Sequence, residues 1–145
     1  MPVSAKISFT LDTTDVTSKL GFEAWLDDRK FYEIDHVTGP KHIDVEIGDD
    51  DVQHDLRFVL KNKTSDHTQI DKDGVIITDA RLKITDLTFD EIHLGHMVTE
   101  QATYEHNFNG NGQQIKDKFY GEMGCNGTVS LKFSSPIYLW LLEHM

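Results

Sequence analysis

A single cysteine, Cys125, stands among 145 residues, so no internal disulfide forms and the fold needs no oxidising compartment. Basic residues are scarce, 14 lysines and arginines against 25 aspartates and glutamates, for a formal net charge of −11. A chain without a basic stripe is not built to hold a nucleic acid backbone or an anionic membrane surface. Long apolar runs are missing too: the longest, 137–142, has 6 residues, so no membrane insertion is expected. The opening MPVSAKISFTL alternates instead of forming an apolar signal core, so synthesis in a cytosol without a signal peptide is expected. No amphipathic helix of convincing length, repeat, linker or low-complexity stretch is visible.

Catalytic patterns are equally scarce. No serine sits in a nucleophile elbow, and no glycine-rich phosphate loop occurs. Cys125 lies between Gly124 and Asn126 in a turn, with no sequence-local partner to lower its pKa. The 8 histidines are scattered. His93 and His96 fall in a segment that reads as extended, where their spacing sends them to opposite faces and argues against a zinc pair. The protein is therefore expected not to be an enzyme.

What the chain does contain is alternation. Ile7, Phe9 and Leu11 form one apolar stripe, and Leu20, Phe22, Ala24 and Leu26 another, with Glu23 and Trp25 on the wet side. Asp27-Asp28 predicts a turn and 30–34 the returning strand of a hairpin. Ile43, Val45 and Ile47 alternate with acids, then Leu56, Phe58 and Leu60 do so with Arg57 and Lys61 between them. A polar loop over 62–73 leads to a short β-branched strand at 75–77 and a long strand from Arg81. The apolar phase of that strand slips between Ile84 and Leu87, which predicts a bulge or kink near Asp86. The segment 98–108 reads as extended, Asn109-Gly110-Asn111-Gly112 as a tight turn, and Val129, Leu131 and Phe133 as the inner face of a further strand. The continuous run 137–142 fits a strand buried on both faces, a short helix or a subunit contact. Roughly ten short strands separated by turns predict one all-β domain, residues 1–145, a β-sandwich or jelly roll.

Two sets of side chains carry functional chemistry. In the acidic loop, Asp66, Asp71, Asp73 and Asp79, with Asn62 and main-chain carbonyls, can supply the oxygen shell that calcium takes; the bland alternative is a solvated loop. Asp71-Lys72-Asp73-Gly74 starts like an EF-hand but lacks the third acid, the distal glutamate and the flanking helices. Among the aromatics, Trp25, Tyr32 and Tyr120 are candidates for stacking on a carbohydrate ring or filling a partner's pocket, against core packing as the ordinary role.

The segment 56–92 resembles calcium-dependent carbohydrate-binding modules of the xylan-binding type. Those modules carry an F-x-N … D-x-R-N-L-x-V-x-x-I pattern on two strands flanking a calcium loop. The counterparts here are Phe58 to Asn62 and Asp79-Ala80-Arg81-Leu82-Lys83-Ile84. The resemblance implies a β-sandwich jelly roll, with calcium near Asp79 bridging protein and glycan hydroxyls. Two departures stand out: the asparagine after the arginine is missing, and Lys63 replaces the acid beside Asn62, where an ammonium disfavours a cation. The whole chain, its final segment 119–145 above all, also resembles small proteins of tailed phages of marine cyanobacteria. That likeness implies a virion component, made in host cytoplasm, that touches host glycans or joins other virion proteins. The alternative is an assembly protein without a sugar site, a homo-oligomer held through 137–145.

Overall fold

The computed structural model describes residues 5–47, 52–63, 68–70, 72–73, 76–106, 114–124, 126–134 and 137–144. Strand β1 (Ala5–Thr13) buries Ile7, Phe9 and Leu11 completely. Strands β2 (Gly21–Leu26) and β3 (Arg29–Ile34) form the expected hairpin. At its turn Asp27 takes φ 55, a left-handed conformation that a short polar side chain tolerates. Then follow β4 (Lys41–Ile47), β5 (Gln53–Lys61), β6 (Thr68–Ile70), β7 (Ile76–Asp79), β8 (Leu82–Phe89) and β9 (Ile92–His93). Helix α1 (His96–Gln101) leads into β10 (Ala102–His106), β11 (Ile115–Lys118), β12 (Glu122–Met123) and β13 (Gly127–Ser134), and helix α2 (Ile137–His144) closes the series.

These strands build two antiparallel sheets. The smaller has the order β12-β8-β1-β4, with β9 beside β8, and the larger has the order β11-β10-β13-β5-β2-β3; β6 and β7 pair separately. The apolar faces meet in one core. Phe9 of the smaller sheet lies 4.7 Å from Phe58 and 6.2 Å from Phe22, both of the larger sheet, between ring centroids. The fold is the all-β sandwich that the alternation implied. The two strands of the central segment, β5 and β8, belong to different sheets, so the acidic loop between them crosses from one layer to the other.

The phase slip in β8 is a bulge. Ser8 faces Thr88 while Thr10 faces Thr85, so β8 spends one more residue than β1 over the same span. Asp86 takes up the extra residue at φ 54, and Leu87 and Phe89 turn inward as Leu82 and Ile84 do before it. The extended reading of the chain through His96 and 98–101 is corrected. Gly95, at φ 55, turns the chain into α1, where Met97 is buried, and only 102–106 is strand. His93 is exposed on β9, and His96 begins the helix. The apolar run at the end is the short helix among the alternatives: Ile137, Trp140 and Leu141 are buried at helical spacing, which a run without polar interruptions conceals. The Asn-Gly turn at 109–112 and Cys125 lie outside the described residues, although β10 and β11 on either side of that turn pair with His106 opposite Ile115. Among the described residues no helix is long and apolar enough to cross a membrane.

Candidate functional site

Trp25 projects from β2 onto the outer face of the larger sheet, directly across from Arg57 on β5 and Lys30 on β3. Both cations approach the indole: Lys30 Nζ is 5.7 Å and Arg57 Cζ 5.9 Å from the ring centre, within cation–π range. The indole Nε1 donates to Glu23 Oε1 at 2.9 Å. Glu23 is itself bound to Lys61 at 3.1 Å, and the same ammonium reaches Glu33 and, at 3.4 Å, Asp35. Hydrogen bonds from Lys61 first, and Lys30 second, hold the Glu33 carboxyl down at about 2, and the Lys61 ammonium is pushed up by the same contact. Arg57 is fixed by donating from Nη2 to the Asp27 carbonyl. The groove beside Trp25, about 230 Å³, is bounded by Glu23, Arg57, Val59 and Thr128. Tyr32 sits in the same hairpin but opposite Ala24 on the inner side, its ring 6.2 Å from Phe22.

A wider cleft of about 310 Å³ opens beside the β8 bulge. Its floor is apolar, from Ile84, Leu87, Val98 and Phe119, and its rim carries Asp86, His93, Thr99 and Tyr120. The segment bearing Tyr120 is anchored on both sides. Phe119 is buried and meets Tyr104 edge-on at 6.5 Å. Gly121, at φ 96, turns its carbonyl to accept from the Ile84 amide at 2.8 Å. Between these anchors the Tyr120 side chain stands 75% exposed. An exposed aromatic face, an apolar floor, a carboxylate acceptor, an imidazole and a hydroxyl together match what a sugar presents, apolar C–H faces rimmed by hydroxyls. The sequence offered Tyr120 as a candidate; it carried no signal for Asp86, His93 and Thr99, which three separate elements bring to the same rim.

The acidic loop is less complete. Asn62 is exposed at φ 70, Asp73 is exposed in a turn, and Asp79 ends β7 opposite Thr68. Asp66 and Asp71, and the side chain of Asp79, lie outside the described residues. Beside Asn62, Lys63 is buried, and its ammonium donates to the Gly124 carbonyl. Among the described residues no group of three or more His, Cys, Asp or Glu side chains could hold a metal. A calcium ion needs a shell of oxygens, largely anionic; of the candidate ligands only the side chains of Asn62 and Asp73 are described, and these two alone do not make such a shell.

Two histidine–carboxylate pairs escaped sequence reasoning because their partners are far apart in the chain. His54 Nδ1 lies 2.8 Å from Asp27 Oδ2 while stacking on Phe133, and His106 Nε2 lies 3.0 Å from Asp117 Oδ2. Each spans neighbouring elements. Ser130 donates to Asp55, not to either imidazole.

No protein-family model and no curated protein sequence matches this chain. Solved structures do. One is the selenomethionine form of vCBM60, described with two families of calcium-dependent carbohydrate-binding modules linked by circular permutation; it is 9% identical, covers 88% of this chain and 89% of its own, and has a TM-score of 0.54. Another is vCBM60 in complex with galactobiose, 11% identical over 87% of this chain and 96% of its own, with a TM-score of 0.50. At such identities the likeness establishes a shared fold, the sandwich of a carbohydrate-binding module.

Proposed function

We propose that the protein is a non-catalytic glycan-binding module that holds a sugar in the cleft beside the β8 bulge, with Tyr120 as its stacking platform. The observation that carries this reading is Tyr120 itself: a 75% exposed aromatic on a segment anchored by Phe119 and Gly121, facing Asp86, His93 and Thr99 across an apolar floor. The anchoring matters because a pre-positioned ring loses little freedom on binding. The fold likeness to a module solved with galactobiose supports the glycan class. Of the calcium candidates in the crossing loop, Asn62 and Asp73 are not among the described residues that line this cleft, and Asp71 and the side chain of Asp79 lie outside the described residues.

Affinity electrophoresis through a panel of soluble polysaccharides tests the reading. Retardation by at least one glycan is expected, and a Tyr120→Ala variant is expected to bind it about tenfold more weakly, equivalent to about 1.4 kcal/mol. Release of reducing sugar from any retarding glycan would contradict the non-catalytic reading. On the overall likeness to tailed-phage proteins, we place this module in a virion, made in host cytoplasm and in contact with other virion proteins.

One observation favours a second reading, assembly through the C-terminal helix. Tyr138, Leu139 and Leu142 of α2 are 47%, 57% and 71% exposed beside the buried Trp140. Because Ile137, Trp140 and Leu141 belong to the core, deleting the helix would unfold the domain. Leu139→Ser with Leu142→Ser is the cleaner probe. Light scattering that shows an oligomer in the parent and a monomer in this variant, with no glycan retained by either, would favour assembly.

A further inference from the structure

The cleft beside the β8 bulge has no basic side chain of its own. All 14 lysines and arginines of the chain belong to the described residues, and none of them lines it. Its carboxylate is Asp86, exposed at the extra residue of the bulge, with no ion pair or hydrogen bond among the described residues. Two other carboxylates near it are engaged: Asp90 accepts from Tyr138, and Glu122 accepts from Arg81 at 2.7 Å. The ring of Tyr120 is exposed and has no ring or cation contact among the described residues. Around Trp25 the opposite holds. Lys30 and Arg57 approach its indole, and Glu23 beside it is bound by Lys61. There an aromatic face and a carboxylate are both satisfied by the protein's own cations. At the bulge the same two groups are left for a ligand to satisfy. An aromatic face attracts a cation through its quadrupole, and a carboxylate adds Coulomb attraction to it.

We propose that the glycan held in this cleft brings the missing cation: it is an amino sugar with a free, protonated amine, its ring on Tyr120 and its ammonium at Asp86. The assignment rests on the cleft being a glycan site and adds the class of sugar. The apolar floor takes the C–H face of the ring, and Thr99 and His93 remain for its hydroxyls. Acetylating the amine removes the charge and with it the attraction to Asp86. A uronate brings a second negative charge to Asp86, with no lysine or arginine in the cleft to offset the repulsion. Galactobiose, the sugar in the solved complex of the same fold, carries no amine, so the preference belongs to this chain's own Asp86. A chain of net charge −11 attracts any polycation to some degree, so the selectivity has to be read at that one residue.

Calorimetric titration of the full chain tests it, in salt that screens distant charges and with the amine protonated. The probes are a trimer of β-1,4-linked glucosamine, its fully N-acetylated form and the corresponding glucose trimer. The free-amine trimer is expected to bind about fivefold more tightly than the other two, the combined size of an exposed cation–π contact and an exposed ion pair. Asp86→Asn keeps the side-chain shape and a residue type that tolerates the left-handed φ, and is expected to abolish the preference. A preference that persists in Asp86→Asn would be general attraction of a cation to an acidic protein and would overturn the proposal. Equal affinity for the trimers, or binding of a neutral glycan alone, lost in either case in Tyr120→Ala, would overturn the amine and leave the glycan cleft standing. A trilysine peptide that binds as tightly, with the same dependence on Asp86, would overturn the sugar class. No binding by any trimer or by any polysaccharide of the panel would end both readings.

Discussion

Trp25 and Tyr120 are both aromatic side chains on the polar outside of the sandwich, yet they stand in opposite circumstances. The indole of Trp25 is approached by Lys30 and Arg57 from the two neighbouring strands, and its one donor is already spent on Glu23. Tyr120 has an open ring above a cleft whose polar groups come from a bulge, an edge strand and a helix. Residue type alone thus does not make a sugar platform; the charge and geometry of the neighbours decide. In the larger sheet the outer face around Trp25 is engaged in its own ion pairs, which leave only the smaller groove, and works for the fold. In the smaller sheet the bulge at Asp86 leaves a gap, and a gap can hold a ligand.

The contrast can be broken from the structural side. Gly127 begins β13, between β10 and β5, and a Cβ there would come within 2.3 Å of the Glu105 carbonyl oxygen. Since backbone cannot move aside cheaply, Gly127→Ala is expected to destabilise the domain by about 3 kcal/mol in denaturant unfolding, the largest effect of the set. The aromatic pair sharpens the contrast more directly. Trp25→Ala is expected to cost about 2 kcal/mol of stability through lost burial while leaving glycan affinity within about twofold. Tyr120→Ala is expected to leave stability within about 0.5 kcal/mol and to remove most of the affinity. The reverse pattern would exchange the roles of the two faces.

The smallest effect concerns pH. The Glu33 carboxyl is held at about 2, below its ordinary 4.5, chiefly by the hydrogen bond from Lys61 and next by that from Lys30. A depressed carboxyl contributes stability that is fully present above pH 4.5 and lost as the pH falls toward 2. Stability of the parent is therefore expected to decline over that window, and Glu33→Gln is expected to show a shallower decline, read from unfolding curves at successive pH values. Tyr120→Ala is expected to run parallel to the parent, because the cleft is not part of that ion-pair network.

Alternation made the sandwich legible. The inner residues of β1, β2, β4, β5 and β13 were readable because burial of one sheet face imposes a period of two. Even the irregularity at Asp86 was readable, as a slip in that period that fits a bulge or a kink. What periodicity does not encode is which strands share a sheet, so the separation of β5 and β8 into different layers came only from the structure. Helix α1 escaped because six residues hold less than two turns of pattern, and its start depends on the φ of Gly95. The site was legible only as residue types. Tyr120 was visible, but its rim of Asp86, His93 and Thr99 comes from elements whose proximity is tertiary. Likewise Lys63 could be read as hostile to calcium, while its burial against Gly124 and its clamp by Asn126 required coordinates.

The most direct test is an NMR titration of the labelled protein with a glycan identified by affinity electrophoresis. The account expects the amide shifts to move at Asp86, His93, Thr99 and Tyr120, around the bulge cleft, with the outer face of the larger sheet unmoved. Shifts gathered instead at Glu23, Trp25, Arg57 and Thr128, or no shift with any glycan of the panel, would contradict it.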